Sequence, residues 1–214
     1  MTGTGFRPPV VLRGRYLELR PLERADAAGL AEAGSDPEVW RFLRIGPGHP
    51  PTTGEMATFI DELLAMQEKG ELLAFAMVLR SSGALVGIVR FLDIDRPNRA
   101  VELGTWIDSR YWRTPLNAES KLLMLGYAFE DEQVHRVQLK TDERNVRSQR
   151  AIERLGAVPE GRLREAHLVR GNFFRTSLYY SILAGEWPAV KQHLEERLAR
   201  PWEGAPSAPT GAES

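Results

Sequence analysis

The stretch "VELGTWIDSRYWRTPLNAESKLLML", residues 101–125, joins two hydrophobic periods around one proline. The first half alternates with a period of two, which places Glu102 and Trp106 on the same face of a strand. The second half, from Leu116 onward, repeats apolar residues at helical spacing. A helix start exposes unpaired N–H groups and the positive end of the helix dipole. The sequence therefore predicts that an anion such as phosphate binds just after Pro115.

Composition narrows the classes of partner and chemistry. The 28 lysines and arginines nearly balance the 29 aspartates and glutamates, which argues against nucleic acid or a membrane surface as a partner. Without cysteine there is no disulfide framework, thiolate metal site or cysteine nucleophile, and the four histidines show no ligand spacing, so we expect no metal. No signal peptide or membrane-spanning stretch is visible, so a cytoplasmic location is expected.

The domain organisation follows from length and from the composition of the two ends. The 214 residues suffice for one domain with its own core. Residues 1–10 and 201–214 are rich in Gly, Pro, Ser and Ala and offer little apolar surface, so we expect flexible tails. The prediction is a single domain over residues 11–200.

The elements on either side of residues 101–125 complete the fold prediction. Upstream lie a strand near 16–22, two or three helices, and the strands "LLAFAMVLR" and "ALVGIVRFLDID", which form a meander with "AVELGTWID". Downstream lie a helix from about Leu116 to Glu132, the strand "HRVQLKTD", the helix "VRSQRAIERLGA", a strand near 173–183 and a final helix near 186–200. The order βααβββαβαβ predicts an α+β, mixed α/β, fold.

This order of segments resembles the GNAT superfamily of acyl-CoA-dependent N-acyltransferases. Within it, the sequence is most similar to the ribosomal-protein-alanine N-acetyltransferases. The resemblance covers roughly residues 11–200 and rests on "LRGRYLELRPLERAD", "GALVGIVRF", "VELGTWIDSRYW", "NAESKLLMLGYAFE", "HRVQLKTDERNVRSQRAIERLGAV" and "YYSILAGEW".

The resemblance implies a mostly antiparallel sheet with two splayed parallel strands, flanking helices, and acetyl-CoA as a cosubstrate between "VELGTWID" and "HRVQLKTD". Backbone groups of residues 106–108 would pair with the pantetheine arm like an added strand. The pyrophosphate would lie at the helix start after Pro115. The residues implied to hold the cosubstrate are Trp106, Ile107, Asp108, Arg113, Thr114, Leu116, Asn117, Ala118 and Asn145.

The phosphate turn departs from the family pattern. Members of the superfamily carry two glycines in this turn, which let the backbone approach phosphate closely. The corresponding positions here are Pro115 and Asn117. Proline removes one donor but suits the first helical position, and Arg113 adds a charged donor. The alternative is a capped helix whose arginine is solvated.

The candidate catalytic residues are Glu102 and Ser148. Acetyl transfer needs a neutral amine, and Glu102 on a cleft-facing strand is the candidate base. The alternative is an exposed carboxylate that pairs with Arg90 or Lys140. The resemblance assigns Ser148 to protonating the departing thiolate through its match to the Asn-x-x-Ser pattern. Ile152 stands where many members have a tyrosine as the acid, which strengthens the assignment to Ser148. A backbone N–H at a bulge near Gly104 would polarise the carbonyl, or that glycine only makes room for a large neighbour.

The sequence leaves the acceptor open. A primary amine on a protein N-terminus or a small molecule fits the implied activity, and the early helices would form its pocket. The alternatives are a protein of the same fold that binds CoA with low or lost turnover, and an enzyme that transfers a longer acyl group such as succinyl. The resemblance also implies a possible homodimer, to which "SLYYSIL" at residues 177–183 would contribute.

Overall fold

The computed structural model describes Phe6 and residues 10–202. Within them, one sheet of eight strands has the order β1-β2-β3-β4-β5-β6-β8-β7. The strands are β1 (Leu12–Arg13), β2 (Leu17–Pro21), β3 (Leu73–Leu79), β4 (Leu85–Asp95), β5 (Ala100–Ile107), β6 (Arg136–Asp142), β7 (Val158–Val169) and β8 (Phe173–Leu183). The helices are α1 (Ala27–Ala33), α2 (Thr53–Glu68), α3 (Leu116–Gly126), α4 (Val146–Glu153) and α5 (Trp187–Ala199).

One pair of neighbouring strands in this sheet is parallel. Strands β1 to β5 pair antiparallel in chain order, and β6, β8 and β7 form a second antiparallel group. The two groups meet at β5 and β6, which pair in parallel. A parallel pair needs a crossover connection, and α3 supplies it. The predicted mixed α+β fold and the predicted meander are confirmed.

Alternation along the strands divides the core into two layers. On β3, Leu73, Phe75 and Met77 pack in the larger layer, on the face that α3 and α5 cover. Ala74 and Ala76 point to the opposite face, where α1 and α2 pack. Every one of these side chains is buried, because both faces of the sheet carry helices.

Local hydrogen bonds fix the start of α2. The Thr52 hydroxyl accepts a hydrogen bond from the Glu55 N–H (3.3 Å), and the Glu55 carboxylate accepts one from the Thr52 N–H (2.8 Å). This capping box satisfies two donors that a helix start leaves unpaired. The helix thus begins at Thr53, with Thr52 as its N-cap residue.

Two element predictions are wrong in part. Strand β7 was absent from the predicted order, because nearly all of its residues are exposed and give no alternating pattern. The helix predicted to run to Glu132 ends as an α-helix at Gly126 and continues as a wider π-type turn over Tyr127–Asp131. Both segments lack a regular buried stripe of the expected period.

The predicted tails lie mostly outside the described residues, which leave out 1–5, 7–9 and 203–214. Four residues of the predicted tails are described: Phe6, Val10, Pro201 and Trp202. The ring of Phe6 packs edge-on against Phe91, with centroids 5.0 Å apart. The Trp202 ring packs against Tyr16 with centroids 5.6 Å apart. Val10 also packs against the core, so three packed residues lie outside the predicted boundaries of 11 and 200.

A buried carboxylate joins the first strands to the crossover helix. Glu119 on α3 is 3% exposed. Its carboxylate accepts hydrogen bonds from the N–H groups of Arg15 (2.6 Å), Tyr16 (2.9 Å) and Leu17 (2.7 Å). Hydrogen bonds to a charged acceptor are stronger than neutral ones. Glu119 therefore fixes α3, and with it the predicted phosphate turn, against the sheet.

We expect Glu119→Ala to lower the free energy of unfolding by about 3 kcal/mol, because it leaves three consecutive N–H groups without their acceptor. Urea denaturation measures this change. The matched control is Glu195→Ala on the exposed face of α5, which should change stability by less than about 0.5 kcal/mol. Equal effects of the two substitutions would contradict the role given to Glu119.

Candidate active site

A cleft opens in the sheet between β5 and β6. The two strands pair through residues 100–102 and 136–138 and then part. Strand β5 stays paired with β4 as far as Ile107, and β6 stays paired with β8 as far as Asp142. Each strand is therefore held from its outer side while its inner backbone edge faces the cleft. A cavity occupies this space.

The structure brings most of the predicted site residues to this cavity. All of them except Asp108 and Leu116 lie on its wall. Those on the wall are Glu102, Trp106, Ile107, Arg113, Thr114, Asn117, Ala118, Asn145 and Ser148. Residues predicted as base, acid and cosubstrate contacts thus surround one space.

Asp108 and Leu116, which do not lie on the cavity wall, stabilise the structure around it. The Asp108 N–H donates to the Val86 carbonyl (2.8 Å), and its carboxylate accepts from the Arg110 N–H (2.9 Å). Its carbonyl accepts from the Tyr111 N–H (3.0 Å). The polar groups of Asp108 are thus engaged in the turn after β5. The Leu116 side chain is fully buried in the core, and its N–H faces the Thr114 hydroxyl at 3.4 Å.

The start of α3 presents backbone donors to the cavity. The Glu119 N–H donates to the Pro115 carbonyl (2.9 Å) as the first intrahelical bond, so the N–H groups of Asn117 and Ala118 precede the bonded part of the helix. Arg113 has a φ of 67°, in the left-handed region that favours glycine. The turn therefore keeps a glycine-like backbone at Arg113 without containing glycine.

The start of α4 forms the opposite wall. The Asn145 side-chain oxygen accepts a hydrogen bond from the Ser148 N–H (3.1 Å), so Asn145 caps this helix. The Arg147 guanidinium stacks on the Trp112 ring, with its Cζ 3.1 Å from the ring centroid. The Trp112 indole N–H in turn donates to the Ile107 carbonyl (3.0 Å). Trp112 thus connects the end of β5 to the start of α4.

Glu102 is buried at the point where the strands part. It is 5% exposed, and Lys140 forms an ion pair with its carboxylate at 2.6 Å. The Gln138 side-chain amide also donates to it (3.2 Å). The alternative of pairing with Lys140 is therefore correct, but the carboxylate is buried on the cavity wall and not exposed. An ion-paired carboxylate in a cleft can accept a proton from a nearby amine.

Gly104 marks a close approach of side chains and no bulge. The register between β4 and β5 runs without a shift from Glu102 to Ile107. A Cβ atom at Gly104 would lie 3.0 Å from Leu92 Cδ1 and 3.7 Å from Arg90 Nε. The glycine therefore makes room for large neighbours on the α1 and α2 face, which is the second of the two alternatives.

Two features are absent from the residues that the structure describes. Among them, no group of three or more His, Asp or Glu side chains is placed to hold a metal ion. In the same residues, no helix combines the length and the apolar character that crossing a membrane requires.

Comparison with known protein families finds a match over the part of the chain that forms the cleft. Residues 16–158 match the family described as the acetyltransferase (GNAT) domain. The chain belongs to the GNAT acetyltransferase family. It is an N-acetyltransferase, and the matched region contains the strands that part and both helix starts that line the cavity.

One curated protein and two solved structures illustrate what the chain is similar to. The "Putative ribosomal N-acetyltransferase YdaF" of Bacillus subtilis is 28% identical over 82% of this chain and 96% of its own length. A solved "putative acetyltransferase" from T. thermophilus is 36% identical, with a TM-score of 0.81, over 90% of this chain and 98% of that one. Mycobacterium smegmatis RimJ, solved in complex with CoA-disulfide, shares the fold at 21% identity and a TM-score of 0.78, over 90% and 96%.

Lys121 is one of the residues of this acetyltransferase cavity that the sequence did not predict. Lys121 on α3 lies on the cavity wall and is 5% exposed. Its ammonium group donates to the Thr105 hydroxyl. Lys121 follows Ala118 and precedes Leu125 on one helical stripe, where both neighbours are buried. A lysine within an apolar stripe was the available signal.

Burial lowers the pKa of Lys121 to about 7, because no carboxylate offsets the loss of water around the charge. An unfolded lysine has a pKa near ~10.4. Between pH 10 and pH 7 the unfolded chain therefore binds a proton that the folded protein does not. The contribution of Lys121 to the free energy of unfolding therefore falls as the pH drops from 10 to 7, and it becomes constant below pH 7.

We expect Lys121→Met to raise the free energy of unfolding by about 2 to 4 kcal/mol at pH 7, with a gain that shrinks toward pH 10. Urea denaturation of both proteins at several pH values measures the difference. Lys69→Met, at an exposed position at the end of α2, is the control and should show no such pH dependence. A gain that is the same at every pH would contradict the assignment.

Proposed function

We propose that this N-acetyltransferase transfers an acetyl group from acetyl-CoA to a primary amine by direct attack while both reactants are bound. The observation that carries the proposal is the parting of β5 and β6 after residues 102 and 138. The exposed backbone edges fit a pantetheine arm that pairs with them like an added strand. Holding amine and thioester together can lower the barrier by roughly 7–11 kcal/mol.

The α3 side of the cavity suits the phosphates of the cosubstrate. The N–H groups of Asn117 and Ala118 would bind the pyrophosphate, with the guanidinium of Arg113 as a charged donor. Thr114 would line this site, because its hydroxyl already donates to the Tyr111 carbonyl (2.7 Å). Trp106 and Ile107 would contribute backbone groups to the pantetheine arm, and Asn145 a side-chain contact at the start of α4. The RimJ structure with CoA-disulfide supports this placement by fold alone.

Glu102 is the proposed base. An alkylamine is protonated at neutral pH, so the attacking nitrogen must lose a proton before or as it bonds to the thioester carbon. The Glu102 carboxylate would take that proton, directly or through one water. The ion pair with Lys140 at 2.6 Å holds the carboxylate in place on the wall. The buried position excludes bulk water from the reacting groups.

Ser148 is the proposed acid. As the new carbon–nitrogen bond forms, the carbon–sulfur bond breaks and leaves a thiolate that needs a proton. Ser148 lies on the cavity wall with its N–H held by Asn145 (3.1 Å), which leaves its hydroxyl for this role. The residue four positions later is Ile152, an apolar side chain on the same wall that offers no competing donor.

The proposed acceptor is a primary amine on a protein N-terminus or a small molecule. The name of the Bacillus subtilis relative, which includes a ribosomal acetyltransferase activity, supports a protein acceptor. The acceptor would enter from the face that α1 and α2 cover, since the predicted phosphate turn takes up the α3 side. A cytoplasmic location is part of this proposal.

We also propose a homodimer that forms through the hairpin of β7 and β8. The segment predicted for this contact, residues 177–183, lies in β8 between two other strands and is largely buried. The exposed apolar side chains lie near the other end of the hairpin, where Leu168 is 56% and Phe174 is 54% exposed. Strand β7 is also an edge strand. A one-chain mass in light scattering would contradict this proposal.

The function is tested by titrating the protein with CoA and by measuring release of free CoA thiol from acetyl-CoA with a panel of amines. We expect binding, and thiol release that depends on the amine. An absence of CoA binding at millimolar concentration would refute the cosubstrate proposal. Tight binding without thiol release from any amine would favour the alternative of a CoA-binding protein with lost turnover, which the proline at position 115 also motivates.

We expect Glu102→Gln to lower kcat about 100-fold or more and to change the acid limb of the pH profile, because the amide cannot accept the proton. Steady-state kinetics from pH 5 to 9 measure both. Glu62→Gln on the exposed face of α2 is the control and should match the unmodified enzyme. Activity that survives Glu102→Gln with an unchanged pH profile would remove Glu102 from the mechanism.

A further inference from the structure

The α1 and α2 side of the cavity holds buried donors without acceptors. Arg90, Trp106 and Arg175 line the cavity and are 4%, 3% and 5% exposed. Arg90 Nε and Nη1, Trp106 Nε1 and Arg175 Nε have no hydrogen-bond partner among the residues that the structure describes. Buried polar groups are nearly always paired, so several unpaired donors in one cavity need an explanation.

The charges at this end of the cavity are also unbalanced. Arg44 and Lys140 lie on the same wall as Arg90 and Arg175. The buried carboxylate there is Glu102, which already accepts from Lys140 and Gln138. Asp142 lies 3.8 Å from Arg175 Nε, but its carboxylate is bound by Arg144 (2.7 Å). The cavity wall thus carries more cationic than anionic side chains here, and Arg90 and Arg175 among the cations are buried.

Arg90 is the least compensated of these cations. Its guanidinium lies against apolar surface, with Cζ 6.0 Å from the centroid of Phe59. Burial lowers its pKa to about 10, and the group still carries its charge at neutral pH. An apolar residue of similar size at such a position is often as stabilising or more so. An unpaired buried charge is therefore unfavourable for folding, which points to a role in binding.

The position of Arg90 connects these donors to the reaction. Arg90 on β4 is the cross-strand partner of Gly104, and Glu102 lies two residues before that glycine on the same face of β5. A Cβ atom at Gly104 would lie 3.7 Å from Arg90 Nε, so the glycine lets the guanidinium lie close to β5. A group bound by Arg90 would therefore lie within a few ångströms of the proposed base, next to the point where β5 and β6 part.

We propose that this end of the cavity binds a carboxylate carried by one of the two reactants, with Arg90 as its main partner and Arg175 and the Trp106 indole as further donors. The inference rests on the proposed function. A carboxylate offers two acceptor oxygens and one negative charge, which match adjacent unpaired N–H groups and a surplus cation. The carboxylate is part of the acceptor near its amine, or it ends a dicarboxylic acyl group on the donor.

Matched pairs of reactants that differ in this charge distinguish the two sources. The acceptor arm compares β-alanine with β-alaninamide, and peptides that begin with Asp with those that begin with Asn. The donor arm compares succinyl-CoA with butyryl-CoA on one uncharged amine. We expect kcat/KM to favour the carboxylate-bearing member at least 10-fold in one arm, and that arm identifies the source.

Variants then connect the preference to Arg90. We expect Arg90→Met to reduce the preference to less than 3-fold, and Arg175→Met to reduce it in the same direction by less. Arg24→Met is the matched control, because Arg24 is exposed and pairs with Asp61 (3.0 Å), and it should keep the full preference. Thermal unfolding checks the fold, and Arg90→Met should not lower the melting temperature, since it removes an unpaired buried charge.

A binding measurement separates this inference from the proposed function. Glutarate, but not glutaramide, should raise the melting temperature of the unmodified protein, and Arg90→Met should abolish the rise. If no amine releases CoA thiol, a glutarate effect that depends on Arg90 still supports the carboxylate site while the proposed function fails. The inference is overturned if neither arm shows a preference and glutarate has no effect. It is equally overturned if Arg90→Met slows both members of a pair alike, which would place Arg90 at the reacting carbonyl.

Discussion

The site depends on the loss of strand pairing between β5 and β6. Backbone N–H and C=O groups inside a protein need partners, so neighbouring strands normally pair along their full length. Here β5 is fixed by β4 and β6 by β8, and the two pairings diverge after residues 102 and 138. The unpaired inner edges form a polar cleft within an otherwise continuous sheet. The fold thus exposes hydrogen-bonding groups in its centre without any segment having to unfold.

Much of the fold could be predicted from the sequence because its periods are strong. The meander strands are short apolar runs separated by turn residues, and α2 carries a stripe of apolar residues that ends in the buried Leu63. Strand β7 could not be predicted in this way, because Leu163 and Leu168 are exposed on it and no face is buried. Its pairing with β8 is a tertiary property that no local pattern in its own residues records.

The site could be predicted less completely than the fold. Site residues such as Asn117 and Asn145 could be predicted because they lie at helix starts, which have recognisable local sequence patterns. The engagement of Asp108 in a turn, and the burial of Arg90 and Lys121, depend on neighbours that are distant in sequence. A period shows which residues share a face, but it does not show which charges on that face lose their water. For that reason the unpaired donors became visible only in three dimensions.

Lys121 and Arg90 also show how the cavity is balanced against stability. Both are buried cations without a carboxylate partner within hydrogen-bond distance among the described residues, one on each face of the sheet. Glu102 and Lys140 instead form a pair that compensates their burial. Functional sites often retain residues that are unfavourable for folding, because a binding partner restores the missing interactions.

The two contacts of Trp112 affect how molecules reach the cavity between β5 and β6. Its indole N–H is bonded to Ile107 at the end of β5, and its ring lies under Arg147 at the start of α4. The open end of the cleft is thereby bridged by side chains. An elongated molecule that lies along the whole cleft must pass beneath this bridge or displace the stacked arginine.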